Sequence, residues 1–340
     1  VTRVLPTGKL PLDELRPLLA RVGSRDPRVA VGPQPGEDAA VIEFGDRALV
    51  VATDPVTFAA DRIGWYAVHV NANDVAVLGA RPAWFFVVLL LPERGTTPAL
   101  VDAIMADVDT ACRQVGATVC GGHTEITQGL DRPIVVGQML GEVVATRLIR
   151  KTRLQPGDQL LLTQGVAIEG TAILARERRE RLDGHVAPDV LTRAAGLLID
   201  PGISIVRAAL VAAEAGGDAV HAMHDPTEGG VATALVELVA PAGLGLRVAR
   251  DRIPILPETR AVCATLDLDP LALLASGALL IGVAPDGVEN VLEALGGKGV
   301  PVCRVGEVRP ADDGLTIVVN GTVQPLAPPA RDEIARALDA

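Results

Sequence analysis

Three acidic stretches follow one another in the first third of the chain. They are Gly36-Glu37-Asp38-Ala39-Ala40, Ala52-Thr53-Asp54, and Asn71-Ala72-Asn73-Asp74, which runs on to Gly79-Ala80-Arg81-Pro82. Each sets one aspartate beside small or β-branched residues at the edge of an apolar segment. Carboxylates at the ends of separate buried elements can converge, and such hard oxygen ligands suit Mg²⁺, which shares its shell between carboxylates, waters and phosphate. Each aspartate also has a plain structural reading. Asp38 follows Gly36 and fits turn chemistry. Asp54 precedes Pro55, which holds it extended, as at an ordinary strand end. Asp74 sits with Asn71 and Asn73 inside an otherwise apolar helix, where inward-facing polar groups need partners and the alternative is a surface face.

Two further stretches carry chemistry. Gly121-Gly122-His123-Thr124-Glu125 follows a short β-prone run and reads as a loop. Its glycines let backbone N–H groups approach an anion, with a hydroxyl and a carboxylate next in line. His221-Ala222-Met223-His224-Asp225-Pro226-Thr227-Glu228-Gly229-Gly230 leads into a helix. Thr227 is the expected N-cap, and the N–H groups of that helix start suit an anion. His221 and His224 suit proton transfer or a structural role. No GxxxxGK[ST] and no strand-to-helix GxGxxG is present, and Gly296-Gly297-Lys298-Gly299 reads as a surface turn.

With 340 residues, 49% apolar, the chain has the length of about two domains with sizeable cores. Aromatics are only 2%, so Val, Leu, Ile and Ala must fill those cores. Apolar spacing predicts helices over 12–22, 63–78 (closed by Gly79), 97–115, 169–181, 204–215 and 228–239. Strands are expected at 39–44 and 48–53 as a hairpin, a buried strand at 84–91, then 117–120, 134–144, 159–163, 244–248, 277–283, 302–308 and 315–319. The order lacks regular βαβ alternation. Pro156-Gly157-Asp158 marks a change of character, so domains of 1–150 and 151–340 are expected.

The net charge of −11 argues against nucleic acid as a partner. Arg176-Glu177-Arg178-Arg179-Glu180-Arg181 reads as an exposed helix face. Cys112, Cys120, Cys263 and Cys303 lack CxxC spacing, so buried free thiols are expected, with no zinc and no disulfide framework. Val1 to Pro6 does not read as a signal peptide, and Ala83 to Leu91 is far short of the roughly 20 residues of a membrane span. A soluble, cytoplasmic protein without a membrane partner is the expectation.

Taken in order, these stretches resemble the superfamily of aminoimidazole ribonucleotide (AIR) synthase. Its relatives include selenophosphate synthetase, thiamine-monophosphate kinase, the formylglycinamidine ribonucleotide synthases and the hydrogenase maturation enzyme that dehydrates a carbamoyl thioester. The resemblance runs from Gly8 to Val308 and is nearest the hydrogenase-maturation branch. Gly36 to Val41 matches its glycine–acid–aspartate opening, Thr53-Asp54 its second aspartate, and Asn73-Asp74 with Gly79 to Pro82 its helix motif. Gly121 to Thr124 matches its glycine–threonine loop, and Asp225-Pro226-Thr227 with Gly229-Gly230 its second-domain signature.

The resemblance implies a two-domain AIR synthase-like fold. An N-terminal α/β ATP-binding domain is followed by a C-terminal α+β domain, and the N-terminal sheets form a dimer barrel with ATP near the interface. It implies an ATP- and Mg²⁺-dependent enzyme that activates or phosphorylates a small-molecule oxygen. Carried over, Asp38, Asp54 and Asp74 hold the metal, and Asp54, Asp74, His224 and Asp225 form the catalytic set. Asn73, Gly121, Gly122, His123, Thr124, Glu125, Thr227, Gly229 and Gly230 contact the nucleotide, and the Asp225 loop faces the substrate. Such a site fits phosphoryl transfer, which needs charge neutralisation and positioning more than covalent help.

Two departures bear on the acceptor. The hydrogenase branch carries its substrate on a C-terminal cysteine, whereas the last cysteine here is Cys303, and Glu228 stands where that branch has a basic residue. A changed substrate is expected. The alternatives are a small-molecule kinase like thiamine-monophosphate kinase, and a nucleotide-binding protein that serves a protein partner without turnover.

Overall fold

A computed structural model describes residues 10, 12–22, 26–34 and 36–339. The sequence readings that fall on Val1 to Lys9 lie outside the described residues. The chain divides into two compact units. The smaller comprises 27–31 and 38–148; the larger comprises the described residues of 1–26, 32–37 and 149–340.

In chain order the first elements are α1 (Leu12–Val22), β1 (Val29–Val31), β2 (Ala40–Phe44), β3 (Arg47–Val56), α2 (Ile63–Ala76), β4 (Arg81–Pro92), α3 (Pro98–Val115), β5 (Thr118–Thr127) and β6 (Ile134–Val144). There follow β7 (Gln159–Thr163), α4 (Ile168–Glu177), α5 (Arg179–Leu182), α6 (Pro188–Gly196), α7 (Val206–Gly216), β8 (Val220–His224), α8 (Gly230–Val239), β9 (Gly245–Ala249) and α9 (Pro257–Leu266). The last are β10 (Leu280–Val283), α10 (Val288–Gly297), β11 (Val302–Arg309), β12 (Leu315–Val319), β13 (Thr322–Pro325) and α11 (Glu333–Asp339).

The smaller unit is built on one sheet of order β1-β2-β3-β6-β4-β5, antiparallel except for β4 with β5. Period-two alternation gives it two faces. On one, Ala48, Val50 and Ala52 of β3 and Val135 and Met139 of β6 are buried. That face takes α2, which is buried almost all round because α3 packs on its far side. Close approach of α2 to β6 requires glycine there. A Cβ at Gly137 would stand 2.4 Å from Asn71 Nδ2, and one at Gly141 2.4 Å from Val75 Cγ1. Helix α3 has full end signals: Thr97 Oγ1 accepts from the Leu100 N–H at 3.2 Å, Pro98 opens the helix, and Gly116 closes it at φ +78°.

The other face stays apolar and half-exposed. Val51, Leu140 and Trp84 align across β3, β6 and β4, with Phe86 two residues on. Strand β4 was expected to be buried, yet Trp84 is 39% and Phe86 36% exposed. The pleat sends alternate residues to the face that no described helix of this unit covers. Helix α2 ends at Ala76, and Gly79 (φ +78°) belongs to the following turn, its N–H donating to Ala76 O.

The larger unit holds a seven-stranded sheet of order β13-β12-β9-β11-β7-β10-β8, antiparallel apart from β12 with β9. Leu160, Leu162, Leu246, Val248, Leu280 and Val305 on its strands pack against Val231, Leu235 and Leu238 of α8. The helix expected over 169–181 breaks at Arg178, whose φ of −125° leaves the helical region. The strand expected from Gly277 begins at Leu280, because Gly277 turns at φ +110°. All four cysteines are free; Cys112 and Cys263 are buried, but Cys120 is exposed and Cys303 is in between. No single described helix is long and apolar enough to cross a membrane.

Candidate functional site

In the smaller unit the candidate residues are placed by α2 and the sheet. Asp54 lies near the end of β3, opposite Gly137 of β6. Beyond the pair Ala40–Val51 the β2–β3 ladder stops, so β2 does not reach Asp54. The side chain of Asn71 serves instead. Its Oδ1 accepts from the Asp54 N–H at 2.9 Å, while Nδ2 donates to Asp54 O at 3.3 Å and to Ala67 O at 2.8 Å. Asn71, Asn73 and Asp74 are all buried, Asp74 at 5% exposure. The inward orientation expected of them is therefore found. Asp74 stands three residues on from Asn71, which puts the two on one helix face. Asp38 precedes β2 by two residues and enters the sheet beside the end of β3 that carries Thr53 and Asp54.

Gly121, Gly122, His123, Thr124 and Glu125 do not form a loop. They continue β5, paired in parallel with Phe86 to Leu90 of β4. All five are exposed, because β5 is the sheet edge. His123 Nε2 and Glu125 Oε2 lie 3.5 Å apart on one side of the strand. Asp54, Gly137, Val87 and Gly122 form one register row across β3, β6, β4 and β5. Three strand spacings separate its ends, roughly 14 Å. Within one chain the glycine motif and Asp54 thus share a row without touching.

In the larger unit the second signature leaves β8 and enters α8. His224 and Asp225 are buried. Lys151 Nζ lies 3.0 Å from His224 Nδ1 and 2.5 Å from Gly36 O, and His224 Nε2 lies 3.1 Å from Glu237 Oε2. An ammonium only donates, so Nδ1 accepts and Nε2 carries the proton given to Glu237. Both ring nitrogens of His224 are thereby engaged. The Nδ1 of His221 meets Asp158 Oδ2 at 2.8 Å, and that oxygen also accepts from the Gln155 N–H at 2.8 Å.

The start of α8 differs from expectation. Gly229, at φ +82°, occupies the N-cap, and no side chain caps the helix, so Thr227 is not the cap. Thr227 instead accepts from the Gly230 N–H at 3.0 Å through its backbone oxygen. The Gly229 N–H donates to Asp332 Oδ2 at 2.5 Å. The donors on which an anion cradle at Gly229 and Gly230 would depend are therefore bonded within the protein. Asp332 Oδ1 also accepts from Leu274 N at 3.2 Å and Ile334 N at 2.7 Å. Burial pushes the Asp332 carboxyl up to about 6 against those three N–H groups, and Glu228 adds to the rise. Glu169, in the first turn of α4, is pushed up to about 7 by burial, with Ser276 pulling it back and Asp332 adding to the rise.

Lys151, Glu237, Asp332 and Glu169 were not singled out from the sequence. The one signal was that Lys151 is among only three lysines of an arginine-dominated chain. Asp332 lies 103 residues from the Gly229 it holds, beyond any local pattern. A cavity of about 620 Å³ between Arg250, Ile255, Arg260, Cys263, Leu268 and Val319 includes none of the expected residues.

Known proteins give the geometry a context. The sequence model for "AIR synthase related protein, N-terminal domain" matches residues 36–143, and that for its C-terminal domain matches 155–319. The chain is 32% identical to the carbamoyl dehydratase HypE of Rhodobacter capsulatus, covering 79% of this chain and 77% of that protein. It is 30% identical to HypE of Escherichia coli, covering 79% and 78%. In fold it resembles a HypE structure in complex with ATP, with a TM-score of 0.72 at 23% identity over 95% of this chain and 93% of that one. It also resembles AaThiL complexed with AMPPCP and TMP, with a TM-score of 0.71 at 18% identity over 96% and 99%. The two-domain mixed α/β fold expected from the motifs is the fold found, and on these matches the chain belongs to the AIR synthase-related family.

Proposed function

We propose that this protein is an ATP- and Mg²⁺-dependent enzyme that activates or phosphorylates an oxygen of a small molecule. The observation that carries this reading is the buried polar face of α2. Asn71 grips Asp54, and Asp74 follows one turn on, with Asn73 buried between them in a largely apolar helix. Polar groups are costly to bury, so such a face points to a task beyond packing. The donor set is hard carboxylate oxygen, which fits Mg²⁺. Asp54 and Asp74, with Asp38, would hold the ion, and the bound ion would neutralise phosphate charge. Similarity in fold to HypE with ATP and to AaThiL with AMPPCP supports ATP as the nucleotide.

We further propose a homodimer formed through the uncovered sheet face that carries Val51, Trp84, Phe86 and Leu140. A contiguous apolar face of this kind is a usual interaction surface. It also offers a route to complete the site, since a second copy can bring its own motif near residues that one chain keeps roughly 14 Å apart.

The reading is tested by calorimetry with Mg²⁺ and a non-hydrolysable ATP analogue. Asp54→Asn and Asp74→Asn should each weaken binding at least about tenfold, the equivalent of 1.4 kcal/mol. Wild-type affinity in both variants would overturn the metal assignment. Product analysis across a metabolite panel separates the outcomes. ADP with free phosphate indicates dehydration or cyclisation; ADP with a phosphorylated acceptor indicates a kinase. Nucleotide binding without ADP release indicates a partner protein.

A further inference from the structure

We infer that Asn71 is the positioning residue for Asp54, acting as a one-residue substitute for a missing strand; the inference rests on the reading of Asp54 as a metal ligand. A β-strand residue presents an N–H and a C=O, which a neighbouring strand ordinarily satisfies. At Asp54 the β2 ladder has already ended. Pro55 comes next and has no N–H to contribute.

The carboxamide of Asn71 is the side chain that best imitates a peptide group. It offers a carbonyl to the Asp54 N–H and an N–H to the Asp54 carbonyl, both on the same residue. The remaining N–H of Nδ2 goes to Ala67 O, one turn earlier in α2. That third bond fixes the amide's rotation. It also decides which end is oxygen, since a flipped amide would set its oxygen against two carbonyls.

The sheet makes room for this device. Gly137 pairs opposite Asp54, and a Cβ there would meet Asn71 Nδ2 at 2.4 Å and Ala67 O at 2.8 Å. The missing side chain of one strand, the amide of a helix and the main chain of another strand thus form a single constellation. Its effect is to lock the backbone on which the Asp54 carboxylate is mounted to the helix that carries Asp74. Aspartate and glutamate do not reproduce it, because a carboxylate would face the carbonyls of Asp54 and Ala67 with oxygen.

Two variants from different elements test the inference: Asn71→Leu, which removes the amide, and Gly137→Ala, which pushes it aside. Val108→Ala on α3 is the control. Val108 is fully buried in the same unit, on a helix that packs against α2. Two readouts are needed. Amide hydrogen exchange by NMR should show Asp54 protected in the wild type and at least about tenfold less protected in both test variants. The Mg²⁺ concentration for half-saturation with a non-hydrolysable ATP analogue should rise at least about tenfold in both. The control, at a comparable loss of melting temperature, should leave both readouts at wild-type values.

The inference is overturned if Asp54 exchange is unchanged in the test variants, or if Val108→Ala shifts Mg²⁺ half-saturation by the same factor. If one test variant fails to fold, the other carries the experiment. If the wild type binds no Mg²⁺-nucleotide, the metal reading fails, while the exchange measurement still decides whether Asn71 holds Asp54.

Discussion

Glu169 and His69 are both buried, and burial drives their proton equilibria in opposite directions. For Glu169 it disfavours the carboxylate, raising the group from its ordinary 4.5 to about 7. For His69 it disfavours the imidazolium, lowering the ring from 6.5 to about 4, with the nearby Arg62 charge acting the same way and Gln114 opposing. The folded protein therefore holds the Glu169 proton between pH 4.5 and 7 while the unfolded chain has lost it. Stability from this group is fully present below 4.5 and is lost as pH rises through 7. His69 works the other way: its contribution is present above 6.5 and is lost as pH falls toward 4. Glu169→Gln removes the first effect alone. Relative to the wild type, the variant should gain on the order of 3 kcal/mol between pH 4.5 and 7, read from urea denaturation at both ends. A difference between the two proteins that does not change with pH would show that Glu169 titrates normally. Residue chemistry was legible where it was local. The cluster Asn71, Asn73 and Asp74 in an apolar helix announced a buried polar face. The grip of Asp332 on Gly229 did not, because it joins distant segments.

At the level of elements, β5 is where expectation and structure part. A β-prone run that meets two glycines reads as a strand giving way to a loop, since glycine weakens strand interiors. Pairing with β4 overrides that local preference and carries the strand on to Thr127. The two glycines then differ in a way no motif displays. A Cβ at Gly121 would make ordinary contact with Phe86 at 3.5 Å. At Gly122, where φ is +153°, a Cβ would fall 1.8 Å from Val87 O of the neighbouring strand. Gly121→Ala should therefore stay within about 1 kcal/mol of the wild type, and Gly122→Ala should cost more than about 2 kcal/mol. Denaturant unfolding of the two variants measures this directly; equal costs would contradict the strand register. Helix α3 shows the opposite case, with its cap, its proline and its closing glycine all readable in sequence.

For the molecule as a whole, the uncovered apolar face of the smaller unit is the feature with the largest consequence. Trp84 and Phe86 are more than a third exposed and lie on the side of the sheet that no described helix covers. If the proposed homodimer uses this face, Trp84→Glu with Phe86→Glu buries like charges against each other and should yield a monomer by light scattering. A wild-type protein that is itself monomeric at micromolar concentration would remove the proposal. Nucleotide affinity measured on the same variant would then show whether the site needs the second copy.

By itself the sequence determined the chemistry on offer and most of the elements: five polar motifs in family order, set among apolar runs of helical or strand period. It could do so because those signals are local, carried by residues within a turn or a pleat of one another. The tertiary structure decided which of those residues meet. Sheet order placed Gly122 in the same row as Asp54 yet three strands away. Chain crossing brought Lys151 to His224 and Asp332 to Gly229. Helix packing turned Asn71 into the support of Asp54. The last three are contacts between separate elements of the chain, fixed by burial and hydrogen-bond satisfaction.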